Sequence, residues 1–154
     1  MSNKSSNSVM WFRRDLRLND NPALIAASKI GEVTPLFVLD PMLLERSGAP
    51  RLAFLFRSLR DLNRQMNGAL VVRVGDPVDV VAKVAQEVGA VEIFAAKDFA
   101  PYGQKRDAQV VRALEKIGAK LNHAIPSTLK YIPLILRLTS GILCLRVRPL
   151  IQHL

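Results

Sequence analysis

Cysteine is almost absent from this 154-residue chain: Cys144 is the only one, so no intramolecular disulfide can staple the fold. A lone thiol fits a reducing cytosol. Long hydrophobic runs are lacking too. The greasiest stretch, Leu134–Leu150, is broken by Arg137, Arg146 and Arg148. Its longest uncharged piece, Leu138–Leu145, falls far short of the ~20 residues that cross a bilayer, so no membrane span is expected. Met1–Ser8 is polar, and no apolar run with a cleavage site follows it, which excludes a secretory signal there. Acidic residues are in the minority: 13 against 22 basic ones give a net charge of +9. That balance favours an anionic partner such as nucleic acid without selecting one. Beyond Pro126 stand Lys130, Arg137, Arg146 and Arg148 with no acidic residue, so the tail holds +4 of that charge.

What is present is an alternation of strand and helix signals, with 49% apolar content, in one domain-sized chain. Ser8–Phe12 is a short β-prone run. Asn19-Asp20-Asn21-Pro22 then supplies capping side chains before a proline, and Ala23–Lys29 continues as a helix ended by Gly31. Val33–Leu39 predicts a second strand, with Pro35 restricted to a strand start or edge. Leu52, Leu55, Leu59, Leu62 and Met66 form one apolar stripe on a helix over Pro50–Met66. Leu70–Val74 predicts a third strand. Gly75-Asp76-Pro77 starts a helix that buries Val81, Val84, Ala85 and Val88. Val91–Ala96, Gln104–Ile117 and Lys120–Ala124 complete the series as strand, helix and strand.

Such alternation predicts parallel strands joined by helical crossovers. The fold class is α/β: a Rossmann-like, doubly wound, five-stranded parallel sheet flanked by helices, over residues 8–126. Residues 127–154 keep neither period and are assigned no structure.

Ligands of such a sheet gather at the carboxyl ends of its strands. The first of those loops, Arg13–Asn21, contains no glycine, and no Gly-Lys-Ser/Thr phosphate loop occurs anywhere. Backbone amides need small residues to approach a pyrophosphate, so an ordinary NAD or ATP site is not expected. The cluster Arg13, Arg14, Asp15, Arg17 and Asp20 reads instead as mutual ion pairs fixing the loop and a neighbouring surface. Trp11 and Phe12 read as packing residues. His123 and His153 read as single histidines without a ligand or triad partner.

The run Trp11-Phe12-Arg13-Arg14-Asp15-Leu16-Arg17-Leu18-Asn19-Asp20-Asn21-Pro22-Ala23-Leu24 resembles the opening signature of the DNA photolyase/cryptochrome family. The likeness continues, in order and at the family's spacing, through Leu39-Asp40-Pro41, Pro50-Arg51-Leu52, Gly75-Asp76-Pro77 and Pro101-Tyr102-Gly103-Gln104-Lys105-Arg106-Asp107. It implies an antenna domain that holds a light-harvesting pigment. Light-driven repair of pyrimidine dimers in DNA, or signalling, would rest on FAD in a helical domain that this sequence does not contain. The fragment is expected to be inactive in repair alone, as an incomplete deoxyribodipyrimidine photo-lyase. Folate-binding members carry an Asn-Glu pair where Tyr102 and Gly103 stand here, so methenyltetrahydrofolate is disfavoured. The Pro-Tyr-Gly form resembles members that bind 8-hydroxy-5-deazaflavin. Carried over, their contacts are Phe37, Asp40, Met42, Arg51, Leu52, Leu55 and Asp98. Arg51 would face an anionic phenolate, Asp98 would accept hydrogen bonds or else simply cap its loop, and the leucines would form an apolar wall. Leu52 and Leu55 also belong to the core stripe. The family's linker carries a Val-Phe-Thr-Pro-like element, and Arg146-Val147-Arg148-Pro149 stands in its place, so the tail is expected to be out-of-frame translation. Two other readings stay open: a stand-alone nucleotide- or pigment-binding module, and a truncated product without function.

Overall fold

The computed structural model describes residues 6–124, and the tail read as structureless from Ser127 lies outside them. Five strands and five helices follow in the order β1 (Ser6–Phe12), α1 (Pro22–Ser28), β2 (Gly31–Leu39), α2 (Pro41–Glu45), α3 (Ala49–Gln65), β3 (Val71–Val74), α4 (Pro77–Val88), β4 (Ala90–Ala96), α5 (Pro101–Glu115) and β5 (Lys120–Ala124). The strands form one sheet in the order β3-β2-β1-β4-β5, and every pairing is parallel. No helix among the described residues is long and apolar enough to cross a membrane.

β1 lies at the centre, and Val9, Met10, Trp11 and Phe12 are each 0–2% exposed, because both faces of the sheet are covered. Successive side chains point to opposite faces of a strand. Val9 and Trp11 therefore join a cluster with Val81, Val84 and Ala85 of α4 and Val110 and Leu114 of α5. Met10 and Phe12 join the opposite cluster with Ala23, Leu24 and Ala27 of α1 and Leu59 and Leu62 of α3. α4 and α5 cover one face, α1 and α3 with Leu44 of α2 cover the other, and the winding reverses on either side of β1.

Proline positions explain several boundaries. β2 is interior in strand order, yet its ladder with β3 begins only at Leu36, while Pro35 is aligned with Met10 of β1. Gly31–Pro35 is thus an edge segment of an interior strand, which is where a residue without an N–H is tolerated. Pro41 and Pro101 open helices as Pro22 and Pro77 do. The sequence reading missed α2 and started α5 at Gln104, and in the structure Tyr102 and Gly103 lie inside the first turn of α5.

Candidate functional site

The strand order puts the carboxyl ends of β1 and β4 side by side, with the chain leaving them toward opposite faces of the sheet. At this corner two guanidiniums approach the Trp11 ring, Arg13 Cζ at 4.7 Å and Arg106 Cζ at 5.0 Å from its centroid. Both cations converge on Asp107. Arg13 Nη1 donates to Asp107 Oδ1 at 2.6 Å, and Arg106 donates to the same oxygen through Nη2 at 2.9 Å and Nε at 3.1 Å. Arg13 Nη2 donates to the Ala96 carbonyl, and Arg106 Nη2 reaches Asp98 Oδ2 at 3.4 Å. His123 Nε2 lies 2.9 Å from Asp107 Oδ2, so this histidine has a carboxylate partner that the sequence reading did not give it. Burial alone would push the Asp107 carboxyl up. The hydrogen bond and charge of Arg13, then Arg106 and His123, outweigh it and hold the group below the usual aspartate value. The loop arginines therefore do not simply pair with their own acids: Arg13 braces β1 to α5. Asp15 instead accepts from the Arg13 amide at 3.1 Å and from Asn21 Nδ2 at 3.1 Å.

Asn21 closes the neighbouring helix end. Its Oδ1 accepts from the amides of Ala23 and Leu24 at 3.2 Å each, Pro22 has no amide hydrogen, and the Ile25 amide reaches the Asn21 carbonyl at 3.0 Å. The first-turn donors that would cradle a phosphate are thus engaged within the protein.

A cavity of about 390 Å³ opens at the carboxyl end of β2, among Asp40, Met42, Pro77, Tyr102, Lys105 and Arg106. Asp40 is buried and caps α2, its Oδ1 accepting from the Met42 amide at 3.0 Å. Its Oδ2 accepts from the Tyr102 hydroxyl. Partial burial, and then the hydrogen bond and negative charge of Asp40, push the Tyr102 phenol up to about 12, which keeps it a donor. A second cavity of about 320 Å³ lies at the β1–β4 corner, where Arg13, Arg14, Arg17 and Lys97 face Asp15 and Asp98. Gly103 permits this packing: a Cβ there would overlap the Asp98 side chain.

The residues expected from the sequence fall into three places. Asp40 and Met42 line the larger cavity, Met42 half exposed. Asp98 sits in the smaller one and pairs with Arg106, which lines the larger, so Arg106 joins the two. Phe37 is core, and Leu55 packs half-buried against the same cluster. Arg51 is exposed and Leu52 half-buried on the first turns of α3, outside the linings of both cavities. Tyr102, Arg106 and Asp107 were read only as parts of a motif. Tyr102 and Asp107 bond to Asp40 and Arg13, 62 and 94 residues away, contacts that no local signal could reveal, whereas Arg106 also pairs with its neighbour Asp107.

The family model for DNA photolyase matches residues 8–130. The chain is 42% identical over 108 residues to a deoxyribodipyrimidine photo-lyase of Thermus thermophilus, covering 69% of this chain and 26% of that protein. It is 38% identical over 120 residues to chicken cryptochrome-2, covering 74% and 21%. The chain thus spans about a quarter or less of the length of these relatives. Among solved structures, a cryptochrome of Synechocystis superposes with a TM-score of 0.74 at 23% identity, over 78% of this chain and 27% of the other, which speaks to the fold. An archaeal photolyase from Sulfolobus tokodaii, described with two FAD molecules and the implication of a novel light-harvesting cofactor, gives 0.66 at 28% identity, over 77% and 29%. Sequence, fold and motif order agree, and the chain belongs to the DNA photolyase family as its N-terminal α/β domain.

Proposed function

We propose that this domain holds a light-harvesting chromophore at the carboxyl edge of its sheet and passes the excitation to FAD held by the remainder of a photolyase or cryptochrome. The pigment in this reading is 8-hydroxy-5-deazaflavin rather than methenyltetrahydrofolate. The observation that carries the proposal is the cavity at Asp40: its volume lies within the range of small-molecule sites, and its walls combine apolar Met42 and Pro77 with one buried carboxylate. Capping of α1 by Asn21 argues against a nucleotide phosphate as the ligand. The position of Gly103 argues against folate, since the acidic side chain of the folate-binding pattern would collide with Asp98. Asp40, Met42 and Asp98 are the proposed inner contacts. Phe37, Arg51, Leu52 and Leu55 form the proposed wall on the α3 side, where a cation in the first turn of a helix is unfavourable to the dipole and suits an anionic ring. Action on DNA belongs, in this proposal, to the whole protein and to residues beyond the described domain.

The test is to incubate the full chain with each pigment, remove the excess by gel filtration and record the absorbance. Deazaflavin should co-elute with a shifted band, and Arg51→Ala should weaken its binding about tenfold, the scale of one charge-assisted contact. Co-elution of methenyltetrahydrofolate alone, or of neither pigment, would overturn the proposal.

A further inference from the structure

Tyr102 is the unusual member of the cavity wall. It belongs to neither hydrophobic cluster, it is 36% exposed, and its ring stands 5.8 Å from the Arg106 guanidinium. Its one hydrogen bond among the described residues joins it to Asp40, a carboxylate that is itself only 6% exposed. The other oxygen of Asp40 is committed to the Met42 amide. Among the described residues, the second oxygen of this buried anion thus takes its hydrogen bond from an aromatic hydroxyl supplied from the start of α5. Arg106 stays fixed by Asp107 and Asp98 whatever Tyr102 does.

We infer that Tyr102 is an internal occupant of the ligand position at Asp40, and that the site takes in its place a flat aromatic ring carrying a hydrogen-bond donor. The inference rests on the chromophore reading above and adds to it a rule of selection. An ionised carboxylate only accepts, so a ring that brings a phenol hydroxyl or an imide N–H replaces the tyrosine bond for bond. A ring whose facing atom is a bare acceptor or a phenolate oxygen leaves a buried charge unpaired, which is costly. Displacing Tyr102 costs little else, because its ring is not packed into the core. Its hydroxyl stays protonated at ordinary pH, so the competitor is always present. Tyr102 thereby sets the affinity of what binds and selects a ring that presents a donor to Asp40.

The experiment compares the full chain with its Tyr102→Phe variant. Phenylalanine keeps the ring and removes the competing donor, and the capping bond of Asp40 to α2 is untouched. Each protein is titrated by fluorescence with 8-hydroxy-5-deazaflavin and with its derivatives methylated at the 8-oxygen or at N3. One methylation should weaken binding to the unmodified chain about tenfold. Tyr102→Phe should tighten binding of the parent pigment several-fold, because its donor no longer displaces one already in place. Equal affinity for all three compounds, or no gain in Tyr102→Phe, overturns this inference while leaving the chromophore reading standing. Binding of no compound by either protein overturns both.

Discussion

The Asp107 carboxylate receives Arg13 from the loop after β1, Arg106 from its own helix and His123 from β5. Both its side chain and that of Arg13 are 8% exposed, so neither ion has much water to fall back on. Removing one partner of such a pair leaves an uncompensated buried charge. Asp107→Ala should therefore destabilise the domain by about 3 kcal/mol, read as a lowered urea midpoint. The pH dependence has a definite sign. A carboxyl held below its ordinary value contributes stability that is complete above about pH 4 and is lost as the pH falls toward the folded-state value. The unmodified chain should lose stability through this acid limb and the variant should lose less. Parallel curves would show that Asp107 is not the group responsible. None of this was legible residue by residue, because each partner of Asp107 outside α5 comes from a separate element. The motif containing Arg106 and Asp107 was visible, but its use was not.

At the scale of elements, capping chemistry was the most legible feature and also the source of two errors. The Asn21-Pro22 and Asp76-Pro77 starts were read correctly, since a capping side chain beside a proline is a strong local signal. Asp40-Pro41 carries the same signal, but the five residues of α2 are too few to show a period. The N-cap residue of α5, Ala100, makes no side-chain bond, and Gly103 weakens the helical pattern, so only Pro101 marked the true start. The α3 stripe was correct in direction. Leu59, Leu62 and Met66 are buried while Leu52 and Leu55 are half-buried, because periodicity shows which side faces inward and not how far the partner surface extends. Asn21 offers a sharp test of how much a cap contributes. It is 1% exposed, receives two amides of α1, and donates from Nδ2 to the carbonyl of Arg17 at 3.1 Å. Asn21→Ala should cost about 2 kcal/mol, the upper end for a cap, measured by thermal unfolding. A loss of only a few tenths would mean that water replaces the cap and that the helix end is open after all.

For the whole molecule, alternating strand and helix signals made the parallel, doubly covered sheet readable, whereas the order β3-β2-β1-β4-β5 is a long-range choice that no local spacing encodes. That order has an energetic consequence. β1 supplies Trp11 to the cluster under α4 and α5, and Met10 and Phe12 to the cluster under α1 and α3, so one strand stitches the two halves of the core together. Neither half can lose its packing without releasing a side of β1. Trp11 is the only tryptophan and reports on the α4–α5 side alone. Leu62→Ala opens a cavity on the other side, where Leu62 is 1% exposed, and should destabilise the domain by about 3 kcal/mol. With a shared central strand, that loss must reach Trp11: its fluorescence midpoint in urea should fall together with the helical circular dichroism, as one two-state transition. A Trp11 transition left at its original midpoint, with part of the helix signal lost earlier, would show that the faces unfold separately and that β1 does not couple them.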